Sequence, residues 1–166
     1  MIKMNIILAL TFVLSLVAGC SLGTEDAEVI ASEKTWPPNF NEVAFKREET
    51  PYFRFLVDKA MDQSEFEQIW KSYGFKGERP TVDFEQNGVV FIGVQESGSC
   101  PYEIQNIDFA SASKTISTSL KSSGGTCTSD ATPRTFVLEV EKDKLQKVEN
   151  VLIDQSRVET TVPFEK

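Results

Sequence analysis

Between Val82 and Ile153, apolar residues recur at every second position or in short unbroken runs, which is the pattern of strands rather than helices. Val89-Val90-Phe91-Ile92-Gly93-Val94 is a continuous apolar run, as in a central strand buried on both faces. Thr135 to Val140 puts Phe136, Leu138 and Val140 on one face. Ile116, Thr118 and Leu120 mark another strand. Tyr102 and Ile104 alternate with polar residues, while Ile107 and Phe109 do so in the opposite phase, so a bulge is expected between the pairs. Upstream, Val82-Asp83-Phe84 leads into Asn87-Gly88, a dipeptide that suits a tight turn because both residues tolerate positive φ. Asp143 to Val148 has the length of one or two helical turns, and Val151-Leu152-Ile153 reads as the last strand.

One helix precedes these strands. Asp62 is placed to cap it, with Glu65 three residues on in the capping-box position. Phe66, Ile69, Trp70 and Tyr73 then fall at i, i+3, i+4 and i+7, the spacing of a face buried on a sheet. Gly74 supplies a C-terminal stop. Before the helix, Phe40, Val43 and Phe45 begin one candidate strand, and Tyr52 to Val57 form a second beyond Pro51. Short connections favour antiparallel neighbours. The expected fold is α+β and β-rich, with five to seven strands in an antiparallel sheet or two-layer sandwich and one packed helix.

The N-terminus has the form of an export signal. Lys3 is followed by an apolar stretch from Ile6 to Val17, interrupted by Thr11 and Ser15 and too short to span a bilayer comfortably. It ends in Leu16-Val17-Ala18-Gly19-Cys20, which resembles the bacterial lipobox, where the Cys thiol accepts diacylglycerol. The expectation is a signal peptide over 1–19 and a lipid on Cys20, holding the chain to the extracytoplasmic face of the cell membrane. Residues 20–38 read as a flexible tether that extends to roughly 60 Å: Ser21 to Lys34 is small, polar and acidic without an apolar period, and Pro37-Pro38 stiffens its end. The folded domain is then expected over 39–158, with a fraying tail over 159–166.

Charge limits the partners. The whole chain carries −8. Cleavage after Gly19 removes Lys3 and no acidic residue, leaving −9. A chain this acidic, with no basic block, is ill suited to nucleic acid, whose binding depends on neutralising phosphates. The sequence contains no His, so Ser-His-Asp and Cys-His nucleophile pairs and His-based zinc sites are excluded. Ser113-Lys114 and Lys71-Ser72 are neighbours that would point apart on a strand or helix. The pairs Asp83 with Glu85 and Glu139 with Glu141 share strand faces, as chance allows among 25 acidic residues. No Gly-rich phosphate cradle or calcium-loop spacing is present. The reading is non-enzymatic, with no cofactor and no metal.

With Cys20 assigned to the lipid, Cys100 and Cys127 remain, and two Cys in an exported protein read as one disulfide. It would staple Ser97-Gly98-Ser99-Cys100-Pro101-Tyr102 to Ser122-Ser123-Gly124-Gly125-Thr126-Cys127. The candidate binding residues are Ser97, Gly98, Ser99, Tyr102 and Arg134, on a rigid loop platform at one end of the fold. The competing reading is structural: Gly and Pro turn the chain, Tyr102 packs, and Arg134 pairs with an acid.

Residues from about 61 to 153 resemble the C-terminal domain of the protease complex subunit PrcB family and related small lipoproteins of bacilli. The resemblance rests on Phe66 to Trp70, on Pro80-Thr81-Val82-Asp83-Phe84, on Val89 to Gly93, and on Thr132-Pro133-Arg134-Thr135-Phe136-Val137. In the loop, only Gly98 and Tyr102 match a family pattern that resembles Thr-Gly-Gly-Tyr. The resemblance implies a β-rich domain without catalysis that, in one branch, stabilises a surface protease complex. The resulting expectation is a lipid-anchored accessory or binding module facing a surface protease or wall-associated protein. The alternatives are a protease inhibitor using the 97–102 loop and a carboxylate-dependent hydrolase.

Overall fold

Burial on both faces sets the frame of the molecule. A computed structural model describes residues 27–40, 42 and 55–164. The apolar run forms β3 (Asn87–Glu96). It lies between β6 (Thr132–Glu141) and β2 (Phe55–Ala60) in a first sheet of order β1-β6-β3-β2, with β1 at Ala27–Glu33. The alternating segments form a second sheet of order β4-β5-β7-β8: β4 (Tyr102–Ala110), β5 (Thr115–Ser122), β7 (Asn150–Gln155) and β8 (Val158–Pro163). All pairings are antiparallel except β5 with β7, whose connection crosses through β6 in the other sheet.

The alternation of β3 divides its side chains between two cores. Val90, Ile92 and Val94 point inward with Phe136, Leu138 and Val140, and meet Ile104, Ile107, Ile116, Leu120, Val151 and Ile153 of the second sheet. Val89 and Phe91 point the other way, onto helix α1 (Gln63–Ser72). Phe66, Trp70 and Tyr73 of that helical face are buried there with Leu56 and Val137. Helix, first sheet and second sheet thus stack in that order, and the expected β-rich sandwich with one packed helix is what forms. The cap is also as expected: Asp62 accepts from Glu65 N at 2.9 Å, while the Glu65 carboxylate accepts from Met61 N at 2.7 Å. Gly74, at φ +72, ends the helix.

The bulge in β4 also matches the sequence. Its register against β5 shifts between Ile104 and Asn106, so Ile104 and Ile107 both reach the core despite their odd spacing. The turns after Asp143 become the short helix α2 (Lys142–Leu145).

Four expectations need correction. Residues 27–33 fall within the expected tether, but pair along β6 as edge strand β1. Main-chain hydrogen bonding holds a strand that buries Ala27 and packs Ile30 and Ala31 on the helix-side core but leaves Val29 exposed, and a register shift between Val29 and Ala31 breaks its alternation. Asn87-Gly88 is not a turn. Both residues pair within β3, and the turn lies earlier, where Asp83 O accepts from Gln86 N and Asn87 N. Gly88 is there for space: a Cβ would lie 2.7 Å from Leu145 Cδ2 and 3.1 Å from Ala60 O. The strand after Asn150 is not the last. Residues expected to fray form β8, which buries Val162. The linking turn, Ser156-Arg157, takes positive φ at both residues without Gly or Asn, so the sequence carries no turn signal. Finally, Phe40 and Glu42 are helical where a strand was expected. The remainder of that segment, and Tyr52 to Arg54, lie outside the described residues, as do residues 1–26 with the lipobox and Cys20. Among the described residues, no helix is long and apolar enough to cross a membrane.

Candidate functional site

The site lies where β3 and β5 end and β4 and β6 begin. Four strand ends meet there, so the loops 97–101 and 123–131 leave the sandwich side by side. Cys100 and Cys127 bond across them, with Cα atoms 5.5 Å apart. Cys100 is buried against the core side, while Cys127 is exposed with the rest of 123–131.

A hydroxyl and carboxylate network surrounds the bond. Thr128 N donates to Ser99 Oγ at 2.9 Å, and Ser97 Oγ lies 3.0 Å from Thr128 Oγ1. Gly98 N donates to Asp130 Oδ1 at 3.0 Å, and Thr128 Oγ1 donates to the same carboxylate. These hydrogen bonds, that of Thr128 foremost, hold the Asp130 carboxyl below its ordinary value. A Cβ at Gly98 would meet the Asp130 carboxylate, so any side chain there would push that carboxylate out of its place in the network. Lys34 Nζ donates to Gly98 O at 3.3 Å, bringing the segment after β1 to the same place.

Beneath the loops lies an ion pair. The Glu96 side chain has no solvent exposure, and Arg134 is 14% exposed. Glu96 Oε1 accepts from Arg134 Nε at 3.0 Å and lies 2.9 Å from Nη2; its Oε2 accepts from Tyr102 N at 2.8 Å. Thr132 Oγ1 donates to Glu96 O at 3.2 Å, and Arg134 Nη1 donates to Ser32 Oγ at 3.3 Å. One carboxylate therefore ties together the ends of β3, β4 and β6, and every charge in the knot has a partner.

The structure thus brings all five candidate residues to one end of the molecule, in two layers. Ser97, Gly98 and Ser99 belong to the exposed loop network. Arg134 is engaged by Glu96 and Ser32, and Tyr102 is half-buried against the inner core. Sequence reasoning missed Glu96, Thr128 and Asp130. Glu96 had one signal, as the acid that closes an apolar run. Thr128 and Asp130 had another, as residues prone to local side-chain hydrogen bonds between a Cys and a Pro. Gly124 and Gly125, at φ +79 and +100, stand in open space, where a Cβ would meet nothing within 4 Å. Among the described residues, no group of three His, Cys, Asp or Glu side chains is placed to hold a metal ion.

The chain matches no protein-family model, no curated protein and no solved structure. The PrcB resemblance therefore stands on its sequence motifs alone.

Proposed function

We propose that this chain is a lipid-anchored, extracytoplasmic binding module without enzymatic activity, and that it presents the stapled loops to a protein partner. The observation that carries this reading is the construction of the loop end. Exposed loops are preorganised by a covalent bond and a hydrogen-bonded network, which lowers the ordering cost of binding a macromolecule. The exposed contact surface comprises Ser99 and residues 123–131, where two glycines leave the main chain open to a partner. Arg134 and Tyr102 act below it, holding the platform. The lipobox ending in Cys20 supports the anchor, and the PrcB-like motifs favour a surface protease or wall-associated protein as partner.

Two measurements test the proposal. Cys20→Ser should release the chain from the membrane fraction. Crosslinking on intact cells should join wild type to a discrete partner, and Ser129→Arg with Thr126→Trp, both at exposed positions outside the left-handed region, should abolish that product while leaving the far-UV circular dichroism unchanged. Capture that survives both substitutions refutes the loop surface. Inhibition of a protease by the wild-type chain, lost in the same variant, would identify the partner's class.

A further inference from the structure

At the opposite end of the strands, a second site takes shape from unrelated residues. The four-residue turn 111–114 joins β4 to β5 beside α2. Its position is fixed by the main chain: Lys114 O accepts from Glu149 N at 2.8 Å and from Asn150 N at 3.3 Å. Between these segments is a cavity of about 180 Å³ lined by Phe109, Thr115, Val148, Lys114, Lys144 and Lys147 among others. The lining is mainly apolar, and its volume is close to that of an engineered cavity of about 150 Å³ that accepts benzene.

Charge sets this cavity apart. In a chain of net −8, three lysines converge on one opening. Lys114 is held by Glu149 at 2.5 Å, and Lys144 by Glu141 at 2.9 Å. The Lys144 ammonium also stands 5.9 Å from the centre of the Phe109 ring. Among the described residues, Lys147 makes no ion pair. Lys114 has φ +51, a left-handed conformation in which Asn or Gly would be less strained.

From this we infer that the cavity binds a small anion with an apolar body about the size of one ring: an aryl or short alkyl group bearing a carboxylate or phosphate. The body sits against Phe109 and Val148, and the anionic head faces the lysines. This site is independent of the stapled loops and does not rest on the function proposed for them.

The test is an NMR titration of the full chain with phenyl phosphate, benzyl alcohol and inorganic phosphate, read on backbone amides. Phenyl phosphate should shift residues 109–115 and 144–148 saturably, with at least tenfold tighter binding than either other probe. Equal binding of benzyl alcohol would reduce the site to an apolar cavity. Equal binding of inorganic phosphate would reduce it to a patch of charge. Either result, or the absence of saturable shifts, overturns the inference. Lys114→Asn with Lys147→Gln should weaken phenyl phosphate at least tenfold. Because Asn suits the left-handed position, the Tm of that variant should be unchanged or higher, which separates lost binding from lost structure. Undiminished binding in a folded variant also overturns the inference.

Discussion

The two ends of this sandwich are closed by different means. At one end, loops are fastened to each other by a disulfide, a hydroxyl network and a buried Glu96–Arg134 pair. At the other, turns are pinned by main-chain hydrogen bonds, and an apolar cavity with a cationic rim remains between them. The first end is filled and presents a surface, whereas the second is open and presents a hole. The same β3 and β6 strands serve both ends, so the difference comes from the connections: a Ser, Gly, Thr and Asp composition at one, and lysines around Phe109 and Val148 at the other.

The largest predicted effect sharpens this contrast at the filled end. Arg134→Ala leaves the Glu96 carboxylate buried without its cation and should cost about 3–5 kcal/mol, measured by urea unfolding. Reduction of Cys100–Cys127, or replacement of both by Ser, should cost about 3.5 kcal/mol from the entropy of a loop spanning 27 residues. If neither change shifts the unfolding midpoint, the filled end is not held as described.

At the open end, Gly88→Ala drives a Cβ into Leu145 and the Ala60 carbonyl, and should cost about 1–3 kcal/mol in thermal unfolding. Because Leu145 belongs to α2, this substitution should also disturb the cavity, while leaving the amide spectrum of 123–131 unchanged. Spectral changes at both ends would show that the two are coupled.

The smallest predicted effects concern pH and carry opposite signs. Asp130, at the filled end, is held below its ordinary value of 3.8 by the Thr128 and Gly98 hydrogen bonds. Its contribution is present above that value and is lost as pH falls below it. Glu139, near Asn87 and the open end, is raised above its ordinary value of 4.5, first by burial and then by Glu28 and Asp83. The folded state therefore retains that proton more tightly than the unfolded chain, and stability is lost as pH rises above 4.5. Asp130→Asn should remove the acid-side loss, and Glu139→Gln the loss on the other side. Unfolding midpoints measured from pH 2.5 to 6.5 check both.

These contrasts also explain what could be read from the sequence. Strands that contribute to a core announce themselves, and β3, β5, β6 and β7 were legible from apolar spacing alone. The β4 bulge was legible too, because a phase change in alternation has few other physical causes. Strands held by main-chain pairing at a sheet edge leave little trace, and so β1 and β8 were missed. Asn87-Gly88 misled because Gly there answers to the approach of Leu145, a contact 57 residues distant in sequence. At the filled end, the expectation of export and the cysteine count pointed to the disulfide that the structure contains. The partner of Arg134 was not legible, since an acid 38 positions away is one among 25. The cavity was invisible for the same reason: Phe109, Lys114 and Lys147 converge only through folding.

The central claim is that the filled end, and not the open end, meets a protein. The most direct test places a photocrosslinking amino acid at Ser129 in one strain and at Lys147 in another, with illumination of intact cells. The account predicts a discrete protein adduct from position 129 and none from position 147. Adducts from 147 alone, or equally from both, would contradict it.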